Sequence, residues 1–165
     1  MSVDYSEFIE FRDKFERLSN EFETFLKQFL IKQALDVLAK TKKESPTDTG
    51  LLRNSWTIGN QGVAIRSKTL KSGKNKGKIR YYSVESAFVN NTSIDNVERD
   101  GDVLKVTISN PVEYAKYVEY GHMDRSHQKW INGKFMCSLS IIEVKKKMPK
   151  RFQKEFETWF ASFNM

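Results

Sequence analysis

The chain has one cysteine and no long apolar run. Cys137 cannot form a disulfide within the chain, so nothing in the sequence indicates an oxidising compartment. The mean hydropathy is −0.59, and no stretch approaches the roughly 20 apolar residues that cross a bilayer. Residues 1–7 are acidic and polar, unlike a secretory signal. We therefore expect a soluble protein made in a cytoplasm, without a membrane partner.

Side chains for catalysis are also scarce. The only histidines are His122 and His127, and a nucleophilic triad would need one of them near Cys137 or a serine. Glu119 and Asp124 lie beside these histidines, but the spacing fits no established metal site. The sequence therefore predicts no catalytic residue, no metal site and no cofactor, and it indicates a protein that is not an enzyme.

Acidic residues are absent from residues 66–80, where seven positive charges are concentrated. The formal net charge of the chain is +7, so the rest of the chain has equal numbers of basic and acidic residues. Gly73 and Gly77 lie among lysines and predict the tip of a projecting hairpin. The segment is not a phosphate loop, because the Gly-Lys-Ser/Thr ending of such a loop is missing. Three interpretations stay open for this basic hairpin: contact with DNA phosphates, docking on an acidic partner, or a solvated loop. Its charged residues are Arg66, Lys68, Lys71, Lys74, Lys76, Lys78 and Arg80.

A phenylalanine-rich helix is predicted in the first quarter of the chain. Aromatic residues and leucine recur with a 3.5-residue period from Phe8 to Phe29. Over residues 22–40 the pattern indicates a helix packed on its own domain. Ser19-Asn20 could divide off residues 1–20 as an N-terminal helical arm. The arm would pack on the chain's own sheet or on a neighbouring copy through Phe8, Phe11 and Phe15.

The middle of the chain carries strand and turn signals. Residues 63–66 and 79–84 are rich in strand formers, and Asp100-Gly101 predicts a second hairpin turn. The strand after that turn puts Leu104, Val106 and Ile108 on one face. Residues 86–99 are ambiguous, with a loop expected near Asn90.

Helices are predicted again toward the C-terminus. Asn110-Pro111 should open a short helix that Gly121 closes. Pro149 should bend or end the next helix, and residues 152–163 form a final amphipathic segment. That next helix is predicted from the spacing of Phe135, Leu139, Ile142 and Met148, and the outer face of the final segment is expected to contain Lys150, Arg151 and Lys154. The predicted class is α+β: a long N-terminal helix and C-terminal helices packed on an antiparallel sheet, with residues 21–165 as a single domain.

Three short blocks support a resemblance. Residues 45–56 read Ser-Pro-Thr-Asp-Thr-Gly-Leu-Leu-Arg-Asn-Ser-Trp, in which Pro46 stops a helix and Asp48 or Thr49 caps a short turn. Residues 110–121 read Asn-Pro-Val-Glu-Tyr-Ala-Lys-Tyr-Val-Glu-Tyr-Gly, and residues 130–139 read Trp-Ile-Asn-Gly-Lys-Phe-Met-Cys-Ser-Leu. In this order the blocks resemble the head-to-tail joining (tail completion) proteins of long-tailed bacteriophages.

The resemblance covers roughly residues 25–160 and has departures. His122 stands where the family often has threonine, and Ser138-Leu139 where it has Pro-Ala. The first 20 or so residues and the basic segment near 66–80 look like additions to the family pattern.

The resemblance implies a non-catalytic structural protein of the phage neck or tail top. It would join or complete the tail at the head-tail connector as a ring of six or twelve copies. Neighbouring connector, tail tube or tail terminator proteins would be its partners, with DNA passing through the channel. The protein would be part of the virion, assembled in the bacterial host cytoplasm. The family also occurs in prophages and in genome-free contractile tail-like particles.

Two further expectations concern residues. At Glu119-Tyr120-Gly121 we interpret the glycine as a helix terminator, and the tyrosines as cover for the sheet or a subunit contact. The expected subunit or partner interface residues are Phe8, Phe11, Phe15, Tyr114, Tyr117 and Tyr120. The alternative from another class is a small non-catalytic DNA-binding protein that uses the basic hairpin.

Overall fold

A computed structural model describes residues 6–59, 65–83 and 92–163 and confirms the α+β class. Helix α1 (Ser6–Glu44) is 39 residues long, about 58 Å at 1.5 Å per residue. Ser19-Asn20 does not interrupt it. A serine and an asparagine lower helix propensity only slightly, so the helix continues through the predicted break.

The described strands form four antiparallel pairs of two strands each. Strand β1 (Thr57–Ile58) pairs with β6 (Ile108–Ser109), and β2 (Ile65–Thr69) pairs with β3 (Ile79–Ser83). Strand β4 (Val97–Asp100) pairs with β5 (Val103–Val106), and β7 (Gly121–Met123) pairs with β8 (Trp130–Asn132). The strand signals at Val63, Ala64 and Val84, and the ambiguous residues 86–91, lie outside the described residues.

Four further helical elements follow α1 in the described part of the chain. Helix α2 (Leu51–Asn54) follows α1, and a 3₁₀ turn (Ile94–Asn96) precedes β4. Helix α3 is Ala115–Tyr120, and the C-terminal helix α4 is Met136–Ala161. None of the described helices is both long enough and apolar enough to cross a membrane.

The core lies between α1, the segment from α2 to β1, and the start of α4. Ile58 and Met136 are each 1% exposed, and Trp56 packs in the same cluster. Leu104, Val106 and Ile108 pack against it, which confirms the face predicted for that strand. The other buried members are Ile31, Ala34, Leu38, Leu52, Val97 and Ala115.

Helices α1 and α4 are antiparallel and joined by an aromatic seam. Phe25 is 8% exposed, and its ring centroid lies 5.1 Å from that of Trp159 and 5.9 Å from that of Phe152. Ion pairs run beside the seam: Lys40 Nζ lies 2.6 Å from Glu143 Oε1, and that hydrogen bond is the main cause that lowers the pKa of Glu143 to about 2. The remaining rings of the seam belong to Phe22, Phe29 and Phe156.

The apolar residues whose spacing predicted α4 do not form its inner face. Leu139 and Ile142 are 59% and 50% exposed, whereas Ser140 and Val144 are buried. The orientation of this helix is fixed by the aromatic seam with α1 and by the carboxylate of Glu119, which bonds to its first turn. Both contacts come from residues distant in the sequence. Helix α4 also continues through Pro149 as one helix.

Two smaller expectations also fail. Arg151 does not lie outside: its guanidinium donates to Gln33 Oε1 at 2.9 Å and contacts Asp36, so it links α4 to α1. Asn110 does not cap α3, which begins at Ala115; instead Val112 N donates to Asn110 Oδ1, which closes a local turn. Gly121, with φ 92°, does end α3 as predicted.

Candidate interaction surfaces

The corner at residues 45–56 is held by hydrogen bonds between its own side chains. Ser45 Oγ donates to Thr41 O at 2.7 Å and accepts from Trp56 Nε1 at 2.9 Å, with Ser45 and Trp56 both buried. Leu51 N donates to Thr49 Oγ1 at 3.3 Å, but the N-cap residue of α2 is Gly50, so neither Asp48 nor Thr49 takes the predicted cap position. The serine, threonine and tryptophan of this block therefore fix the exit angle of the chain from α1.

The corner also anchors β3 of the basic hairpin. Tyr81 N donates to Thr49 O at 2.9 Å, and Asn54 Nδ2 donates to Tyr81 O at 2.8 Å. Gly50 has φ 85°, and a β-carbon there would lie 3.0 Å from Tyr81 O. From the sequence, Gly50 is expected either to adopt a conformation that a β-carbon disfavours or to lie where the backbone passes close to Trp56. The positive φ fits the first expectation, and the close approach is made to Tyr81 rather than to Trp56.

A cavity of about 460 Å³ lies where the first two sequence blocks meet. Asp48 and Gly50 line it from the corner. Tyr114, immediately before α3, and Val118, within α3, line it from the other side. Tyr81 of β3 contributes the remaining wall. The tertiary fold therefore brings the two blocks, more than 50 residues apart, to one concave surface that could take a partner's side chain.

The tyrosines of the second block are exposed. Tyr114 is 42% exposed, Tyr117 47% and Tyr120 61%, whereas Ala115 between them is buried and Val118 packs on the core. An aromatic row of this kind offers contact area at low entropic cost. Its role as an interface stays a prediction.

Glu119 has a role that the sequence did not reveal. Its side chain is buried, 3% exposed, and accepts hydrogen bonds from Cys137 N at 3.1 Å, Ser138 N at 2.9 Å and Ser138 Oγ at 2.8 Å. These donors belong to the first turn of α4, where a helix has unpaired N–H groups and a positive dipole end. Glu119 therefore caps α4 from 18 residues away, a distance at which no local motif signals a cap.

The segment that follows α3 is tightly packed against it. A β-carbon at Gly133 would lie 2.2 Å from Glu119 O, and one at Gly121 would lie 2.6 Å from Ile131 O. Lys134 N and Phe135 N donate to carbonyls at the end of α3. This close approach holds the carboxylate of Glu119 at the start of α4.

The loop that contains His122 and His127 shows no catalytic arrangement in the described residues. His122 Nδ1 lies 3.4 Å from Tyr117 O, and Asp124 accepts from Ser126 Oγ, a bond that lowers the pKa of Asp124 below its usual value. Burial raises the pKa of the Cys137 thiol, which disfavours the reactive thiolate. Within residues 6–59, 65–83 and 92–163, no group of three His, Cys, Asp or Glu side chains is placed to hold a metal ion.

The N-terminal part of α1 extends beyond the packed body. Described side chains between positions 9 and 17 are all exposed, with Ile9 at 47% and Phe15 at 64%. The side chains of Phe8 and Phe11 lie outside the described residues. The contact of this arm with another molecule stays a prediction.

The charged residues of the basic hairpin are exposed: Arg66, Lys68 and Arg80 lie on β2 and β3, and the other four lie in the connection between these strands. Lys68 lies directly opposite Arg80, and Arg66 opposite Tyr82. Lys68 Nζ lies 5.8 Å from the centroid of the Tyr82 ring, which is 40% exposed. Like charges that face each other across two strands are unfavourable. The pair would be stabilised by an anionic partner.

Comparison with protein families identifies the class of protein. A family model described as "Bacteriophage HK97-gp10, putative tail-component" matches residues 9–121, more than half of the chain. The chain is thus a structural component of a phage tail, and it belongs to the HK97-gp10-like family. No curated protein and no solved structure matches it.

The matched residues refine the expected extent of the family region. They contain the corner, the tyrosine block, the basic segment and residues 9–20 of the arm, so the match begins earlier than the resemblance suggested. The third block and α4 lie beyond the match. Family membership assigns the chain to the virion.

Proposed function

We propose that the protein joins or completes the tail at the phage neck, as a ring whose copies pack through surfaces rather than through catalysis. The family match over residues 9–121 is the observation that carries this proposal. The exposed aromatic side chains inside that match support it, because large exposed apolar groups on a small domain mark contact sites.

The proposed contacts use the exposed tyrosines and the cavity beside them. Tyr114 stands at the cavity that the corner and α3 share, so one partner side chain can touch both blocks. A connector, tail tube or tail terminator protein would supply that side chain in the assembled neck. Aromatic anchors next to a pocket are the usual centres of such interfaces.

The basic hairpin is proposed to contact an anionic partner within the neck. Its charged side chains are exposed, and its strands place Lys68 opposite Arg80 without a nearby acid in the segment. Either DNA in the channel or an acidic face of a neighbouring ring would supply the negative charge that the segment lacks.

Electron microscopy of the purified protein, alone and with isolated tails, tests this function. We expect rings of six or twelve copies, and density added at the head-proximal end of the tails. Substituting Tyr114→Ser and Tyr117→Ser together should remove the added density, while Glu113→Gln, an exposed neighbour, should not. A protein that stays monomeric at high concentration and never binds tails would overturn the proposal.

The second candidate is a DNA-binding protein, and the exposed cationic pair Lys68–Arg80 favours it. Binding of the isolated monomer to duplex DNA should then weaken steeply with salt, because each neutralised phosphate releases a counterion. Substituting Lys68→Gln and Arg80→Gln should flatten that salt dependence. Absence of DNA binding at low salt would exclude this candidate.

A further inference from the structure

A second exposed apolar surface lies at the end of the molecule far from the arm. Leu139 is 59% exposed and Ile142 50%, on the outer side of the first two turns of α4. Phe135, immediately before this helix, is 42% exposed. We call these three side chains the α4 face. Four residues before Phe135, Ile131 adds a further exposed apolar side chain at 44%.

The arm and the α4 face are at opposite ends of the helix pair. The pairs Lys40–Glu143 and Phe22–Trp159 set the antiparallel alignment, so Leu139 is level with the last turns of α1. Phe15 is 25 residues before Lys40, which is about 37 Å along a helix. Because α1 is one continuous helix, the arm cannot fold back onto the α4 face of its own chain.

The two surfaces also differ in charge. Residues 6–21 contain five acidic and three basic residues, whereas residues 134–150 contain five lysines and a single glutamate. Glu143, that single acid, is already bonded to Lys40 and Lys147. An acidic amphipathic helix and an apolar face bordered by an excess of lysine are complementary partners.

We infer that the α1 arm of one copy packs on the α4 face of a second copy of this chain. The inference rests on the proposed function, since it names the contact between neighbouring copies of the ring. Each copy would give its arm to one neighbour and receive an arm from the other. A contact between different surfaces of identical subunits produces this head-to-tail arrangement.

Mixing two defective variants of the full chain tests the contact. The arm variant carries Phe8→Gln, Phe11→Gln and Phe15→Gln, and the face variant carries Leu139→Glu and Ile142→Glu. Each alone should be monomeric, with an apparent dissociation constant raised about tenfold or more. Mixed, they should form a one-to-one complex, because the arm variant keeps an intact face and the face variant an intact arm. Val103→Glu, at an exposed valine that belongs to neither surface, is the matched control and should assemble normally.

Crosslinking gives an independent measurement. In a Cys137→Ser background, copies with Phe15→Cys mixed with copies with Leu139→Cys should be joined by a short bis-maleimide, which links two thiols. Copies with Val103→Cys in place of Leu139→Cys should not be joined to Phe15→Cys. A mixture that fails to crosslink and to form the one-to-one complex would overturn the inference.

The outcomes separate this inference from the proposed function. Rings that form from both variants alone would overturn the arm contact and leave the ring intact. A native complex of only two copies, crosslinked between positions 15 and 139, would support the contact but contradict the ring. Native protein that neither associates nor binds tails would overturn both.

Discussion

The phenylalanines of helix α1 recur at one spacing, but some of them are buried, whereas Phe15 is exposed to solvent. Phe25 and Phe29 are 8% and 5% exposed, because α4 covers them with aromatic rings. Phe15, one and a half heptads earlier, is 64% exposed, because α4 ends near the level of Phe22. A 3.5-residue period therefore reports that a helix has an apolar side and does not report which molecule covers it.

The largest expected effect on stability is at Phe25, the phenylalanine that α4 covers. Phe25→Ala should lower the free energy of unfolding by about 3–5 kcal/mol, because it leaves a cavity among several rings. Phe15→Ala should change it by no more than about 0.5 kcal/mol, as for most exposed positions. Urea denaturation of both full-length variants measures the difference. Equal losses would show that the arm also packs within its own chain.

A second contrast concerns two carboxylates near α3. Glu119→Ala should lower stability by about 2–3 kcal/mol, because it leaves the partly buried donors at the start of α4 unpaired. Glu113 is exposed, so Glu113→Ala should cost no more than about 0.5 kcal/mol. Thermal unfolding followed by circular dichroism compares them. Similar midpoints for the two variants would contradict the cap.

A third contrast concerns two glycines with positive φ. Gly50→Val should cost about 1–3 kcal/mol, because the backbone conformation is strained and the new side chain meets Tyr81 O. Gly73 has φ 79° but nothing within 4 Å of an added β-carbon, so Gly73→Val should cost less. Chemical denaturation of both separates strain from crowding. A Gly50→Val midpoint equal to that of the native chain would refute the argument.

The smallest expected effect on stability is at the basic hairpin. Replacing Lys71, Lys74, Lys76 and Lys78 with glutamine should change stability by no more than about 0.5 kcal/mol, because exposed charges contribute little. The same variant should weaken tail joining or DNA retention, and added salt should produce a similar deficit in the native protein. Assembly assays over a range of salt concentrations measure this. Unchanged function throughout that range would show that the hairpin is only a solvated loop.

Local sequence predicted the elements that depend on local energetics. Pro46 ends α1, Gly50 adopts the positive φ expected of it, Gly121 ends α3, and Asp100-Gly101 turns β4 into β5. The ordered blocks also indicated the phage tail family. Each of these features depends on the conformational preferences of a few consecutive residues.

Tertiary packing decided what the sequence left ambiguous or predicted wrongly. Leu139 and Ile142 have helical spacing, but the cap from Glu119 and the ring of Trp159 orient α4 with Val144 inward. Neither contact has a local signature, because its partners are far apart in the chain. The sequence by itself determined where helices begin, end and turn, since those preferences are local. Only the tertiary structure decided which apolar sides are covered, since burial depends on what the rest of the chain brings to them.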